Sequence, residues 1–162
     1  MAASRERTNG ALLIEQFYTA FANGDYATMQ SLYHDRATFS DPVFGTLQAP
    51  QVRAMWEMLI KSGKDLRISF HHVEADRLQG SCSWEARYTF SKTNRPVHNV
   101  IQASFAFDDG KIYRHADHFS FWKWSRQALG ISGWLWGGTP LIRRKVASSA
   151  KESLARFMGS GK

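Results

Sequence analysis

Apolar positions recur every three to four residues near the N-terminus, then every second residue over a long central stretch, and return to the helical period near the C-terminus. Leu13, Phe17 and Phe21, with Ile14 and Tyr18 beside them, predict a helix from about Asn9 to Ala22, stopped by Asn23-Gly24-Asp25. A short helix over Tyr26 to Tyr33 follows, with Asp25 as its N-cap. Ala37 to Asp41 reads as a short strand ended by Pro42, and Val52, Met55, Trp56, Leu59 and Ile60 mark a third helix between Pro50 and Gly63. Four alternating segments come next: Leu66 to Asp76, Ser81 to Ser91, Pro96 to Phe107 and Lys111 to Phe121. Asp108-Asp109-Gly110 between the last two is a hairpin signal. Short connections between strands imply antiparallel neighbours, so the expected architecture is α+β, with helices on one face of a curved antiparallel sheet. A short helix near Ser125 to Leu129, an aromatic and glycine-rich turn, and a basic amphipathic helix from about Leu141 to Met158 complete the chain.

The 162 residues suit one domain with an appended segment, divided here as a domain over residues 1–121 and an extension over 122–162. Apolar residues at 43% and aromatics at 14% supply a core. The single cysteine, Cys82, excludes an internal disulfide. The net charge of +7 lies entirely in the extension, where eight Lys/Arg face only Glu152; residues 1–121 carry 13 of each sign. A neutral body argues against a nucleic-acid groove across the main domain. The first apolar run, Ala11 to Ile14, is too short for a secretory signal, and the longest uncharged stretch, Gln127 to Ile142, is too short and glycine-rich to span a bilayer. A cytoplasmic protein is the expectation.

Candidate chemistry comes from strand parity. Ala37, Phe39 and Asp41 share one face, so Asp41 points where two apolar side chains point; an Asp before Pro also starts turns, and both readings stand. Tyr113, His115, Asp117, Phe119 and Phe121 alternate onto one face of the last strand, with His115 and Asp117 about 7 Å apart along it. Such a pair can relay a proton or can stabilise the fold through a hydrogen bond. In the preceding strand His98, Val100, Gln102 and Ser104 share a face, and before it Trp84, Ala86, Tyr88 and Phe90 do. The six histidines lack metal-ligand spacing, and no phosphate loop, nucleophile elbow or dinucleotide fingerprint occurs. What remains is an acid/base site that calls for no cofactor.

Three stretches together, Asn23-Gly24-Asp25, the run Leu32 to Pro42, and Asp108 to Ile112, resemble the nuclear transport factor 2-like superfamily, whose members include SnoaL-like and ketosteroid isomerase-like proteins. The resemblance covers about Asn9 to Phe121 and implies a long first helix and a cone-shaped sheet, paired into homodimers. Ketosteroid isomerases use an Asp base with a Tyr and a protonated Asp in an oxyanion hole. The resemblance sets Asp41 on the base, Phe17 on the tyrosine and Gln102 on the second acid, so that full triad is not present. Polyketide cyclases of the SnoaL type keep acid/base groups on the last strands, here His115 and Asp117. The expectation is that Asp41, His115 and Asp117 are catalytic. A small hydrophobic or carbonyl ligand would be held by Phe17, Tyr18, Phe21, Trp56, Trp84, Tyr88, His98, Gln102 and Phe119. A noncatalytic binder of lipophilic ligands, or a dimeric interaction domain, is the alternative.

In the extension, Ile142, Val146, Ala150, Leu154 and Phe157 or Met158 form an apolar stripe among basic residues. Its own domain, an anionic membrane surface or another protein are the candidate partners. Trp122, Trp124, Trp134 and Trp136 nearby fit a lipid headgroup layer or a lid over a ligand site.

Overall fold

Thr8 opens the first helix by accepting the Ala11 amide on its hydroxyl, and the same hydroxyl donates to the Ala75 carbonyl, tying the helix to the sheet. The computed structural model describes residues 8–161. Helix α1 (Asn9–Ala22) has the expected bounds and buries Ile14, Phe17, Tyr18 and Phe21. Asp25 caps α2 (Tyr26–Ser31) through the Thr28 amide. This helix stops two residues short of the expectation, because Tyr33 already belongs to strand β1 (Tyr33–Asp41) and is buried there.

After β1 the chain turns sharply. Asp41 Oδ1 accepts the amides of Val43 and Phe44 at 2.8 and 2.5 Å, and the chain returns as β2 (Gly45–Gln48), a strand whose four residues are too few to show an alternation. Gln48 and Gln51 then form a reciprocal capping box, with Pro50 in the first turn, to start α3 (Ala49–Ser62). Four long strands follow: β3 (Arg67–Ala75), β4 (Gln79–Phe90), β5 (Arg95–Asp108) and β6 (Lys111–His118).

The six strands form one curved, unclosed sheet in the order β2-β1-β6-β5-β4-β3. All neighbours are antiparallel except β1 and β6, which run parallel, so the sheet is mixed. Register shifts at Tyr33/Thr38, His71/Glu74 and Ala106/Phe107 add local twist and help bend it. The last of these also displaces Tyr113 from the expected face, since Ile112 is the residue buried at that end of β6. α1 and α3 pack against the concave side, where Phe17, Phe39, Trp56, Trp84 and Phe105 join a single core.

Phe121 does not prolong β6. It begins α4 (Phe121–Leu129), capped by Ser120, and the glycine-rich stretch after it is a short helix, α5 (Ile131–Trp136), rather than a turn. The long α6 (Pro140–Ser160) lies back over the body. Leu154 is buried in the main core and Ala150 packs beside it. Ile142 and Val146 pack on a second cluster made by Val97, Phe121, Trp124 and Ala128. Of the three partners considered for the apolar stripe, α6 therefore uses its own domain. No described helix is long and apolar enough to cross a membrane.

Candidate active site

His115 is fully buried, and its position follows from β6 parity together with the parallel β1 alongside, which sets Phe39 opposite it. Its imidazole is enclosed by rings. Phe105, Phe39, Phe17 and Trp56 have centroids 4.4, 5.1, 5.5 and 5.9 Å away, and the Trp56 indole lies nearly parallel to it.

Within this apolar cage runs a continuous polar chain. Trp56 Nε1 donates to the Tyr33 hydroxyl at 2.8 Å, and that hydroxyl lies 2.7 Å from His115 Nδ1. On the other side, His115 Nε2 is 3.1 Å from Asp117 Oδ1, which also accepts Trp84 Nε1–H at 3.2 Å. An indole can only donate, so the Tyr33 oxygen is used as an acceptor and its own hydrogen is free to point at Nδ1. For a neutral imidazole that assigns the hydrogen to Nε2, where it is donated to Asp117. Every buried side-chain nitrogen and oxygen among the described residues has a partner, which is what permits an ionisable group in so apolar a place.

Asp117 is 4% exposed, and both of its hydrogen bonds fall on Oδ1. Asp41 lies beside it on β1, one step past the Ser40–Ala116 pair, with its own two hydrogen bonds also on Oδ1. Among the described residues the hydrogen bonds of both carboxylates fall on Oδ1, and since no fully buried side-chain oxygen lacks a partner, each Oδ2 keeps some contact with solvent. Burial pushes the Asp41 carboxyl up from 3.8 to about 6, the Phe44 and Val43 amides pull against it, and the charge of Asp117 adds to the rise. Asp41 thus turns the chain through Oδ1 while its carboxyl is largely withdrawn from water.

Two phenols flank the imidazole. Tyr18 places its hydroxyl 3.5 Å from His115 Nε2 and contacts the Cys82 thiol, and burial, helped by the Asp117 charge, raises it well above the usual phenol range. Burial raises Tyr33 likewise, with the Trp56 N–H opposing. Both therefore remain neutral hydrogen-bonding groups near neutral pH. Burial also pushes the Cys82 thiol up to about 12, so it is not a nucleophile here. No three His, Cys, Asp or Glu side chains among the described residues gather closely enough to hold a metal ion.

The structure brings His115 and Asp117 together with Phe17, Tyr18, Phe21, Trp56 and Trp84, while Asp41 follows on β1 next to Asp117 in the strand register. Tyr88 and Phe119 stand further out, half-buried, where the main core meets the α4 cluster, and Tyr88 accepts Trp124 Nε1–H. His98 and Gln102 require a correction. On β5 the inward phase is Val97, Ile101, Ala103 and Phe105, while His98 and Gln102 point to the opposite face of the sheet. There His98 meets Glu85, and Gln102 accepts the Ser83 hydroxyl. Pairing decides the phase, since Trp84 lies directly opposite Ile101 and Ser83 opposite Gln102. Gln102 accordingly cannot reach a developing charge beside His115. Tyr33 is the residue that the strand pattern could have supplied but did not: extending β1 to its true start gives Tyr33 the same parity as Ala37 and Phe39.

The expected hollow is also occupied differently. Rings fill the space around His115, and two hollows among the described residues are open surface grooves elsewhere. One, of about 360 Å³, runs along α1 past Gln16 and Asn23, and the other, of about 610 Å³, lies between Arg95, Lys123, Arg126 and Trp134.

A mixed curved sheet wrapped on two helices, with polar groups gathered at its concave face, places the molecule in the nuclear transport factor 2-like superfamily. Residues 14–115 match the family model of the SnoaL-like domain, and the chain belongs to that family. Among solved structures it is similar to an LEH-like epoxide hydrolase of M. tuberculosis, with 16% identity, a TM-score of 0.63, and coverage of 75% of this chain and 90% of that one. A candidate polyketide cyclase of Xanthomonas campestris pv. campestris gives 14% identity, a TM-score of 0.63 and coverage of 74% and 96%. An NTF2-like protein of unknown function from Burkholderia pseudomallei gives 15%, 0.66, 75% and 98%. These likenesses concern the fold. No curated protein matches the chain significantly.

Proposed function

We propose that the chain is a cofactor-independent acid/base catalyst of the isomerase, cyclase or dehydratase type, acting on a small apolar carbonyl compound. One observation carries this reading: two carboxylates on parallel strands stand together, each with an unshared oxygen, at the end of a buried imidazole–phenol chain. An ionisable pair in an apolar core gains little over well-packed hydrophobic residues, so stability alone gives no reason for this arrangement. The epoxide hydrolase and cyclase among the structural neighbours support small organic substrates.

In this reading Asp41 Oδ2, with its carboxyl near 6, accepts a proton from the carbon beside the carbonyl and returns it to a second carbon, so that the C–H bond broken is matched by one formed. Asp117, backed by His115 and Tyr33, accepts a hydrogen bond from a hydroxyl group of the substrate through its free oxygen. Entry requires the half-buried Val43, Tyr88 and Phe119 to give way, since they separate the core from the helices laid over it. Wild type should accelerate hydrogen–deuterium exchange at the α-carbon of cyclohexanone or a cyclopentenone, followed by NMR, and Asp41→Asn should reduce that rate by at least 100-fold while remaining folded. Exchange in Asp41→Asn equal to wild type would remove Asp41 as the base.

The filled space around His115 favours a second reading, a noncatalytic domain in which the same polar chain organises the core. It predicts no exchange above buffer with either protein. Saturation-transfer NMR with the same ketones then separates a binder from a protein that ignores them.

A further inference from the structure

Helix α5 is built with its side chains left over. Gly133 and Gly137 form the side that meets α4, and an added Cβ would fall 1.9 Å from the Ser125 carbonyl oxygen at the first and 2.0 Å from the Ser125 hydroxyl at the second. Backbone thus packs on backbone, and the apolar residues of α5 have no part in that contact. Ile131 is 80% exposed and Trp134, Leu135 and Trp136 are more than half exposed; Leu141, opening α6, is 74% exposed, and Trp122 on α4 is exposed beside them. Monomeric surfaces rarely gather so many large apolar groups without a use for them.

Cations surround this tip. Arg95, Lys123 and Arg126 line the 610 Å³ groove whose far wall is Ile131 and Trp134. Arg126 lies 4.5 Å over the Trp122 ring, and Arg143, Arg144 and Lys145 follow directly along α6, all three exposed. Across residues 122–161 the acidic side chain is Glu152 alone. Apolar points with indoles at their edge and a basic rim match the depth profile of an anionic bilayer, where aliphatic groups enter the acyl boundary, indoles settle among headgroups and cations meet lipid phosphates.

We propose that the α4–α5 tip and the start of α6 form a docking surface for anionic lipid bilayers, holding the domain peripherally with Ile131, Trp134 and Leu135 inserted. A second copy of the chain fits this face poorly, because a twofold contact would bring its cationic rim against an identical one. Single-stranded nucleic acid would use the indoles and cations but would leave Ile131, Leu135 and Leu141 in water. The contact differs from one made by the basic helix as a whole, since the apolar stripe of α6 is already spent on the body.

Cosedimentation of the full chain with sonicated vesicles tests this. Binding should be clear on 70:30 phosphatidylcholine:phosphatidylserine in 0.1 M salt, and at least tenfold weaker on pure phosphatidylcholine or in 0.5 M salt. The double variant Ile131→Ser/Trp134→Ser, both exposed positions, should lose at least tenfold in partitioning with its circular dichroism unchanged. Leu78→Ser, equally exposed but at the opposite end of β4, should bind as wild type does. Failure of wild type to bind the anionic vesicles overturns the proposal, as does undiminished binding by the double variant. Loss of a light-scattering dimer in the double variant, or retention of wild type on a single-stranded oligonucleotide, in either case without vesicle binding, would give the face to those partners instead.

Discussion

Asp41 and Asp117 lie side by side at the ends of two parallel strands, each holding its Oδ1 on nitrogen donors and leaving Oδ2 in some contact with solvent. Their proximity helps hold the Asp41 carboxyl near 6, although burial is the larger cause. A neighbouring pair of this kind can retain a proton at pH values where a lone aspartate would have lost it.

The sign of the resulting pH dependence is determined by that shift. The folded chain binds a proton at Asp41 more tightly than the unfolded chain, so the stabilisation is complete below 3.8 and is lost as pH rises through about 6. Asp41→Asn removes the dependence. Urea unfolding across pH 4 to 7 should show the variant gaining on wild type by on the order of 2 kcal/mol, with most of the change below 6.5. A difference that stays constant over this range would contradict the burial of Asp41.

Breaking the buried pair should cost more than removing it. His115→Leu leaves Asp117 with only the Trp84 N–H and Tyr33 without its acceptor, and roughly 3–5 kcal/mol of stability should be lost. Adding Asp117→Leu should recover part of that, giving a coupling of roughly 1–3 kcal/mol in a double-mutant cycle. Additive losses would mean that the two groups are not held against each other.

Leu154 pins the long last helix to the core. Leu154→Ala should cost roughly 2–5 kcal/mol, and amide hydrogen exchange along α6 should accelerate more than that of β4 and β5. Equal acceleration everywhere would show that α6 has no independent docking step.

Two glycines give opposite expectations for the same change. Gly133→Ala forces a methyl into the Ser125 carbonyl and should destabilise by at least roughly 1–3 kcal/mol. Gly159→Ala, where nothing lies within 4 Å, should be neutral or gain up to about 1 kcal/mol from helix propensity. Thermal unfolding of the two variants beside wild type measures both.

Much of the fold and half of the site were legible locally. The bounds of α1, the identities of the four long strands, and the inward parity of Phe39, His115 and Asp117 all follow from periods of 3.6 and 2. Four features were not: the short β2, the helical nature of α5, Tyr33 as the partner of His115, and the phase of β5. A four-residue strand carries too little alternation to see, and α5 is a helix because glycines let it lie on α4, which no propensity reports.

Alternation along β5 separates His98 and Gln102 from Ile101 and Phe105 but does not say which set goes inside; Trp84 and Ser83 across the ladder do. By itself the chain determined its helices and strands and the two faces of each strand, because those depend on neighbours a few bonds away. Which faces meet depended on the tertiary structure: parallel pairing of β1 with β6 put Asp41 beside Asp117 and Tyr33 on His115, across 82 residues in the latter case. Such contacts arise only after long loops have closed and registers have locked, and the free energy that selects them is shared among all the strands at once.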